Sequence, residues 1–122
     1  MSNSRSNLRD FVFVARLADY PPGAPTYSEV GGCKVVLVRF TEPDRVCCVD
    51  AICPHEGAGL AGGEVVGQQL TCPQHHLTFD LITGACEQTP HLGLSRYATR
   101  IENGDVFVRP VPIPYRPPTG GT

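Results

Sequence analysis

The sequence lacks the features that mark several specialised classes of protein. No run approaches the ~18–20 consecutive apolar residues of a transmembrane helix, so we expect no membrane association. Residues 1–7 are rich in serine and asparagine and hold no apolar stretch of the kind found in signal peptides. These absences predict a cytoplasmic protein.

Basic clusters are also missing. The net charge is −2 and no basic run interleaved with aromatic residues occurs, so nucleic acid is not an expected partner. The 122 residues have the length of one compact domain and leave no room for a separate catalytic module. Six cysteines without an export signal are poorly suited to a disulfide framework and indicate metal binding instead.

The negative charge is concentrated in the middle of the chain. Residues 40–90 contain one basic residue, Arg45, and seven acidic ones: Glu42, Asp44, Asp50, Glu56, Glu64, Asp80 and Glu87. This segment therefore carries a charge of 1 − 7 = −6, whereas the remainder carries 9 − 5 = +4. It is either a solvated acidic face or a docking surface for a basic partner.

Helical periodicity is almost absent, and short β-branched or aromatic runs alternate with Gly, Pro and Asp. Asn103-Gly104-Asp105 is a strong hairpin signal. Many short strands at regular spacing predict an all-β fold, an antiparallel sandwich or barrel. The predicted strands cover residues 11–17, 34–40, 46–52, 64–66, 69–71, 78–81, 85–87, 97–102 and 106–109.

The two ends of the chain differ from this pattern. Residues 1–9 are expected to be a flexible N-terminus, and residues 110–122 form a tail with five prolines. Proline lacks the N–H that a central strand needs, so the tail is expected to be extended and either bound at a sheet edge or disordered. A surface strap or a loose tail is favoured over a polyproline ligand for another protein.

Two short motifs contain residues suited to metal binding: Cys53-Pro54-His55 and Cys72-Pro73-Gln74-His75. Each follows a predicted strand and presents one thiol and one imidazole. Two cysteines and two histidines could form a zinc site, but zinc fingers pair like with like, as C-x₂₋₄-C followed by H-x₃₋₅-H. A mixed pair on each loop suits an asymmetric cluster, in which one iron takes both thiolates and the other both imidazoles. The spacing favours an iron–sulfur cluster, with a structural zinc module as the alternative.

Residues 53–90 closely resemble the signature of Rieske ferredoxins. The paired C-x-H and C-x-x-H loops carry the resemblance, together with Gly63, Phe79, Asp80 and Gly84. The strand pattern extends the resemblance to about residues 10–109. The resemblance implies a Rieske-type antiparallel β sandwich or barrel with a small cluster-binding subdomain formed by two loops, at about residues 46–90.

The resemblance also implies a ligand set for a [2Fe–2S] cluster. Cys53 and Cys72 would bind the inner iron, and His55 and His75 would bind the outer iron near solvent. The adjacent His76 is not expected to be a ligand. Leu60 and Leu77 are expected to shield the cluster from water, and Pro90 to cap it as in similar proteins. Four glycines either let the backbone turn close to the cluster, with amides bonding its sulfurs, or form ordinary turns: Gly57, Gly59, Gly62 and Gly63.

Four cysteines are not needed as ligands: Cys33, Cys47, Cys48 and Cys86. The neighbours Cys47 and Cys48 lie on a predicted strand, where successive side chains point to opposite faces. One of the two is therefore expected to be a buried thiol.

By its resemblance the protein is not an enzyme but a one-electron carrier. It would pass electrons from a flavin-containing NAD(P)H reductase to the terminal oxygenase of an aromatic-ring oxygenase system. The small Rieske subunit of an NAD(P)H nitrite reductase is the alternative. High-potential relatives carry an extra cysteine in each loop, and serine and tyrosine hydroxyls beside the cluster. The matching residues here are Ala58, Gln74, Leu77 and Phe79, which imply a low potential.

Overall fold

The computed structural model describes residues 9–54, 57, 59–74 and 76–117. Their strands form three antiparallel sheets, which confirms the predicted all-β class. The strands are β1 (Val12–Arg16), β2 (Thr26–Val30), β3 (Cys33–Phe40), β4 (Arg45–Asp50), β5 (Glu64–Val66), β6 (Gln69–Thr71), β7 (Thr78–Asp80), β8 (Arg96–Tyr97), β9 (Thr99–Glu102) and β10 (Asp105–Val108). The sheet orders are β1-β10-β9, β2-β3-β4-β8 and β5-β6-β7. Within these described ranges, no helix is long and apolar enough to cross a membrane.

Strand β3 lies between two hydrophobic cores and is buried on both faces. Val36 and Val38 belong to the first core, which also contains Cys53 and Cys72. Val35 and Leu37, which alternate with these two along β3, belong to the second core. This core lies between the β2-β3-β4-β8 sheet and the β1-β10-β9 sheet. A continuous apolar run is typical of a strand with no solvent face, and this explains why β3 is the most apolar segment of the chain.

The same alternation separates two neighbouring cysteines on β4. Cys48 pairs with Leu37 of β3 and is buried in the second core. Cys47 pairs with Val38, is partly buried and packs against the first core. The prediction that one of these two thiols is buried is confirmed.

Strand β2 is absent from the sequence-based prediction. It is the edge strand of its sheet, and both Tyr27 and Glu29 are exposed. Val30 is the one fully buried residue of this strand, so the apolar alternation that predicts strands is weak. The Gly31-Gly32 turn to β3 has positive φ angles of 55° and 84°, which is the better sequence signal for a hairpin here.

Two predicted strands are wrong in extent. Residues 97–102 are predicted as one strand, but the chain passes between sheets at Ala98: β8 pairs with β4, and β9 pairs with β10. Side chains keep the same alternation between the core face and the opposite face on both sides of Ala98. The alternating sequence pattern therefore gives no sign that the chain changes sheets there. Residues 85–87 form single bridges, Cys86 to Phe79 and Ala85 to Gly93, rather than a strand.

The remaining hairpin and tail predictions agree with the structure where it describes them. Asn103 and Gly104 have φ angles of 54° and 81°, as a type I′ turn requires. In the tail, Ile113 forms an antiparallel bridge to Arg96 at the edge of β8, so edge binding is observed at this residue. Residues 118–122 and 1–8 lie outside the described residues.

Candidate metal centre

Two loops carry the cysteines predicted to bind metal. Cys53 lies three residues after the end of β4, and Cys72 directly follows β6. Their exposed fractions are 1% and 0%, and both belong to the first core. Strands β4 and β6, which belong to different sheets, therefore position two buried thiols in one core that excludes water.

Both loops begin with the same hydrogen-bonded turn. The N–H of Gly57 donates to the carbonyl of Cys53 at 2.9 Å, and the N–H of His76 donates to the carbonyl of Cys72 at 3.0 Å. Gly57 and His76 also share a left-handed backbone, with φ angles of 79° and 59°. Each turn encloses three residues after its cysteine, and one of those three is the predicted histidine ligand.

The two predicted imidazole ligands, His55 and His75, lie outside the described residues, as do Glu56 and Ala58. His76 is described and is exposed. Its backbone closes the turn at Cys72, in the position that Gly57 occupies in the first loop.

A close backbone approach joins the first loop to the strand that precedes the second cysteine. A side chain at Gly63 would collide with the carbonyl oxygen of Thr71, so only glycine fits there. The Gly63 N–H donates to the carbonyl of Leu60 at 2.9 Å. The amides of Gly57 and Gly63 both donate within the loop, which favours the ordinary-turn alternative for these two glycines over hydrogen bonds to cluster sulfurs.

Apolar side chains surround the two thiols. Leu60 and Phe79 are both 0% exposed and lie in the first core with Cys53 and Cys72. Leu77 is partly buried and packs against that core, and its carbonyl accepts the Cys72 N–H at 2.7 Å. Leu60 and Leu77 thus share one core with the two thiols, and their role in shielding a cluster from water stays a prediction.

A third loop, residues 87–93, borders the first core; this segment is the Pro90 loop. Leu92 packs against the first core, and its carbonyl accepts the Cys86 N–H at 3.1 Å. At the start of the loop, the Gln88 side chain accepts the Thr78 N–H at 2.9 Å. Sequence reasoning missed Gln88 because hydrogen bonds ten residues apart leave no local pattern.

The four surplus cysteines are placed as ordinary core or near-surface thiols. Burial, and then the nearby Asp50, raises the pKa of the Cys48 thiol; burial likewise raises the pKa of Cys47. The Cys33 thiol lies 3.7 Å from the Pro110 carbonyl, and the Cys86 thiol 3.6 Å from the Gln88 side chain. None of the four forms a disulfide.

Several acidic side chains of residues 40–90 support the fold. Asp80 accepts two backbone N–H groups in the turn after β7, at 2.7 and 3.0 Å. Asp44, Asp50 and Glu87 also accept hydrogen bonds from neighbouring side chains. Glu42 and Glu64 are exposed and remain the candidates for contact with a partner.

The described part of this centre fits the donor set of a mixed-ligand cluster. Thiolates bind iron in all iron–sulfur proteins, and apolar surroundings control solvent access and potential. Two buried thiols lie on separate loops, and each is followed within three residues by a histidine in the sequence, so the two loops would provide two thiolate and two nitrogen donors. A zinc finger would instead place each pair of cysteines on one turn.

Two curated relatives differ in how much of their length this chain spans. It is 40% identical over 96 residues to cholesterol 7-desaturase of Xenopus laevis, covering 72% of this chain but only 21% of that protein. It is 28% identical over 102 residues to the ferredoxin component of the naphthalene 1,2-dioxygenase/salicylate 5-hydroxylase systems of Ralstonia sp., covering 83% of this chain and 96% of that one.

Solved structures confirm the fold. The ferredoxin of carbazole 1,9a-dioxygenase from Nocardioides aromaticivorans is 31% identical with a TM-score of 0.77, over 83% of this chain and 98% of that one. A protein of Mycobacterium tuberculosis described as a putative NADH-dependent nitrite reductase small subunit has the same TM-score at 22% identity, over 83% of this chain and 95% of that one. The ferredoxin in a complex with its carbazole 1,9a-dioxygenase oxygenase is 24% identical with a TM-score of 0.70, over 81% and 92%. The last two similarities show the fold alone.

The sequence pattern of the Rieske [2Fe-2S] domain matches residues 10–98 of this chain. This match covers well over half of the sequence and includes both cysteine loops. It also makes the zinc alternative wrong, because the domain binds a [2Fe–2S] cluster. The chain therefore belongs to the Rieske [2Fe–2S] family.

Proposed function

We propose that Cys53, His55, Cys72 and His75 hold the cluster. We also propose that the protein passes electrons in the cytoplasm from a flavin-containing NAD(P)H reductase to a terminal oxygenase. The observation that best supports this proposal is the burial of Cys53 and Cys72 in one core, on loops that are closed by matching turns. Residues 10–109 would form the electron-transfer domain, with residues 1–9 as a flexible start and residues 110–122 as a tail.

The chain's own residues prepare this centre in two ways. Ligand thiols must be deprotonated, and their burial among Leu60, Leu70 and Phe79 leaves little room for competing water. The flanking strands hold both loops to the sheets, so the ligands need to move little during electron transfer. When bound, the cluster accepts and releases one electron at a time.

The relatives favour an oxygenase as the acceptor. This chain spans 96% and 98% of two proteins described as ferredoxins of aromatic dioxygenase systems, at 28% and 31% identity. The nitrite reductase small subunit, at 22% identity, shares the fold and keeps that role as the second candidate.

Reduction by two purified enzymes separates these candidates. The anaerobic protein is mixed with NADH and either the flavoprotein reductase of an aromatic dioxygenase system or the large subunit of an NADH nitrite reductase. We expect reduction by the dioxygenase reductase to be at least about tenfold faster. A reductase with a complementary docking surface associates faster, and electrostatic steering alone changes association rates by ~10–10³. Faster reduction by the nitrite reductase subunit would contradict the assignment.

Raising the salt concentration is expected to slow electron transfer to a basic partner. Between 0.01 and 0.15 M salt, the screening length falls from about 30 to about 8 Å. The second-order rate, measured by stopped flow, should then fall several-fold if exposed acids such as Glu64 steer docking.

Replacing single acidic residues by neutral ones shows which of them cause the salt dependence of the rate. Glu64→Gln should weaken the salt dependence, whereas Glu29→Gln should not, because Glu29 is exposed on β2 outside the acidic segment. A rate that does not depend on salt in the wild-type protein would refute the docking role of the acidic segment.

A further inference from the structure

The proline-rich tail is anchored across the molecule at three points. The carbonyl of Pro110 lies 3.7 Å from the Cys33 thiol. Ile113 and Arg96 exchange two backbone hydrogen bonds of 2.7 and 3.0 Å, which add the tail to the edge of β8. Tyr115 then donates its hydroxyl hydrogen to the carbonyl of Pro90 at 2.6 Å.

The ring of Tyr115 also lies directly on the backbone of the Pro90 loop. A side chain at Gly93 would collide with this ring, so the absence of one there makes the contact possible. Tyr115 is partly buried although the residues on both sides of it are exposed. The tail therefore presses one aromatic side chain against the loop, by a ring contact and by a hydrogen bond.

This contact reaches the middle of the loop, where the Leu92 N–H donates to the carbonyl of Thr89 at 3.0 Å in a local turn. The start of the loop is held by the Glu87 N–H, which donates to Thr78 at 2.8 Å. Its end is held by Leu92, which packs on the first core. Among the described residues, the bond from Tyr115 is the hydrogen bond that joins residues 89–91 to a segment outside this loop.

We propose that Tyr115 is a positioning residue: it holds the Pro90 loop closed over the core that contains Cys53 and Cys72, and it thereby slows loss of the cluster. This inference rests on the proposed placement of the cluster at those two thiols. Opening of the loop would lift Leu92 from the core and admit water and chelators to the ligands. The tail would then act as a strap that determines how long the holoprotein keeps its iron.

Two measurements on the holoprotein test the proposal. The first is hydrogen–deuterium exchange of peptides within residues 87–93, with peptides of β3 as the internal reference. The second is release of cluster iron into excess bathophenanthroline, an iron(II) chelator, with dithionite present, followed by the growth of the red absorbance of the iron(II)–chelator complex. Neither measurement involves a reductase or an oxygenase, so its outcome is independent of the electron-transfer partners.

Three variants give a graded expectation. Tyr115→Phe removes only the hydroxyl and should speed both loop exchange and iron release by about two- to tenfold, the equivalent of one hydrogen bond. Tyr115→Ala also removes the ring and should have a larger effect on both. Tyr27→Phe is the matched control, because this exposed tyrosine lies on edge strand β2, and it should change neither.

Three results would overturn the proposal. One is unchanged exchange of residues 87–93 in Tyr115→Ala. Another is faster loop exchange without faster iron release. The third is an equal rise in exchange for β3, since this would reflect general destabilisation instead of a strap on one loop.

Discussion

Replacing His75 with alanine is expected to abolish the EPR signal of a histidine-ligated cluster, and His76→Gly to preserve it. The reason lies in the turn that starts at Cys72. His76 closes this turn through its backbone N–H with a φ angle of 59° and is exposed. Glycine adopts that conformation without strain, and Gly57 already does so in the first loop. We therefore expect the imidazole of His76 to be dispensable, whereas His75 is the proposed nitrogen donor of this loop.

The comparison is made on proteins purified in parallel, reduced with dithionite and assayed for iron. We expect wild-type iron content and an unchanged spectrum for His76→Gly, and little or no cluster for His75→Ala. His55→Ala should match His75→Ala, since it removes the equivalent donor of the first loop. A normal spectrum in His75→Ala, with loss of the signal in His76→Gly, would show that the ligand is His76.

The reduction potential is expected to lie near the lower end of the Rieske range, about −150 to +300 mV. A hydrogen bond to a cluster sulfur stabilises the more negative, reduced state and raises the potential. Leu77 and Phe79, at the positions matching the serine and tyrosine of high-potential relatives, have no hydroxyl to donate. Phe79 is 0% exposed in the same core as both thiols, and Leu77 packs against that core. Water is therefore also poorly placed to supply these bonds.

The double change Leu77→Ser with Phe79→Tyr should raise the potential by about 50–150 mV. This estimate follows because a hydrogen bond to a charged group contributes ~1.5–3 kcal/mol, of which only the difference between the two redox states counts. Leu77→Ala is the matched control: it opens the same space without adding a donor. Protein-film voltammetry at neutral pH measures all three proteins.

Two outcomes would contradict this account of the potential. A wild-type potential clearly above zero would mean that donors other than these hydroxyls stabilise the reduced state. A double variant whose potential rises no more than that of Leu77→Ala would show that solvent access, rather than hydrogen bonding, controls the potential.

Sequence periodicity located the strands best where burial is one-sided or complete. The all-apolar run of β3 and the Asn103-Gly104 turn are both unambiguous, since each local signal has one structural solution. The passage between sheets at Ala98 could not be predicted, because β8 and β9 keep the same alternation across it. Edge strand β2 was missed because its exposed face and its weak apolar face look like a loop.

In the candidate centre too, features with a local sequence pattern could be predicted and long-range contacts could not. The pairing of thiol and imidazole on each loop is a local pattern, so Cys53 and Cys72 could be selected from spacing alone, and the structure places both in one core. The contact from Tyr115 to the Pro90 loop spans 25 residues and depends on the path of the tail along β8. No short-range pattern encodes such a path, and a segment rich in proline predicts only that it is extended.

Nitrogen ENDOR spectroscopy of the reduced protein tests the central claim most directly. The protein is produced with ¹⁵N-histidine and with natural histidine, and the two spectra are compared. If His55 and His75 both bind one iron, two strong and distinct nitrogen couplings should appear and change with the isotope. A spectrum with one such coupling would contradict the proposed ligand set, and a spectrum with none would indicate a cluster held without histidine.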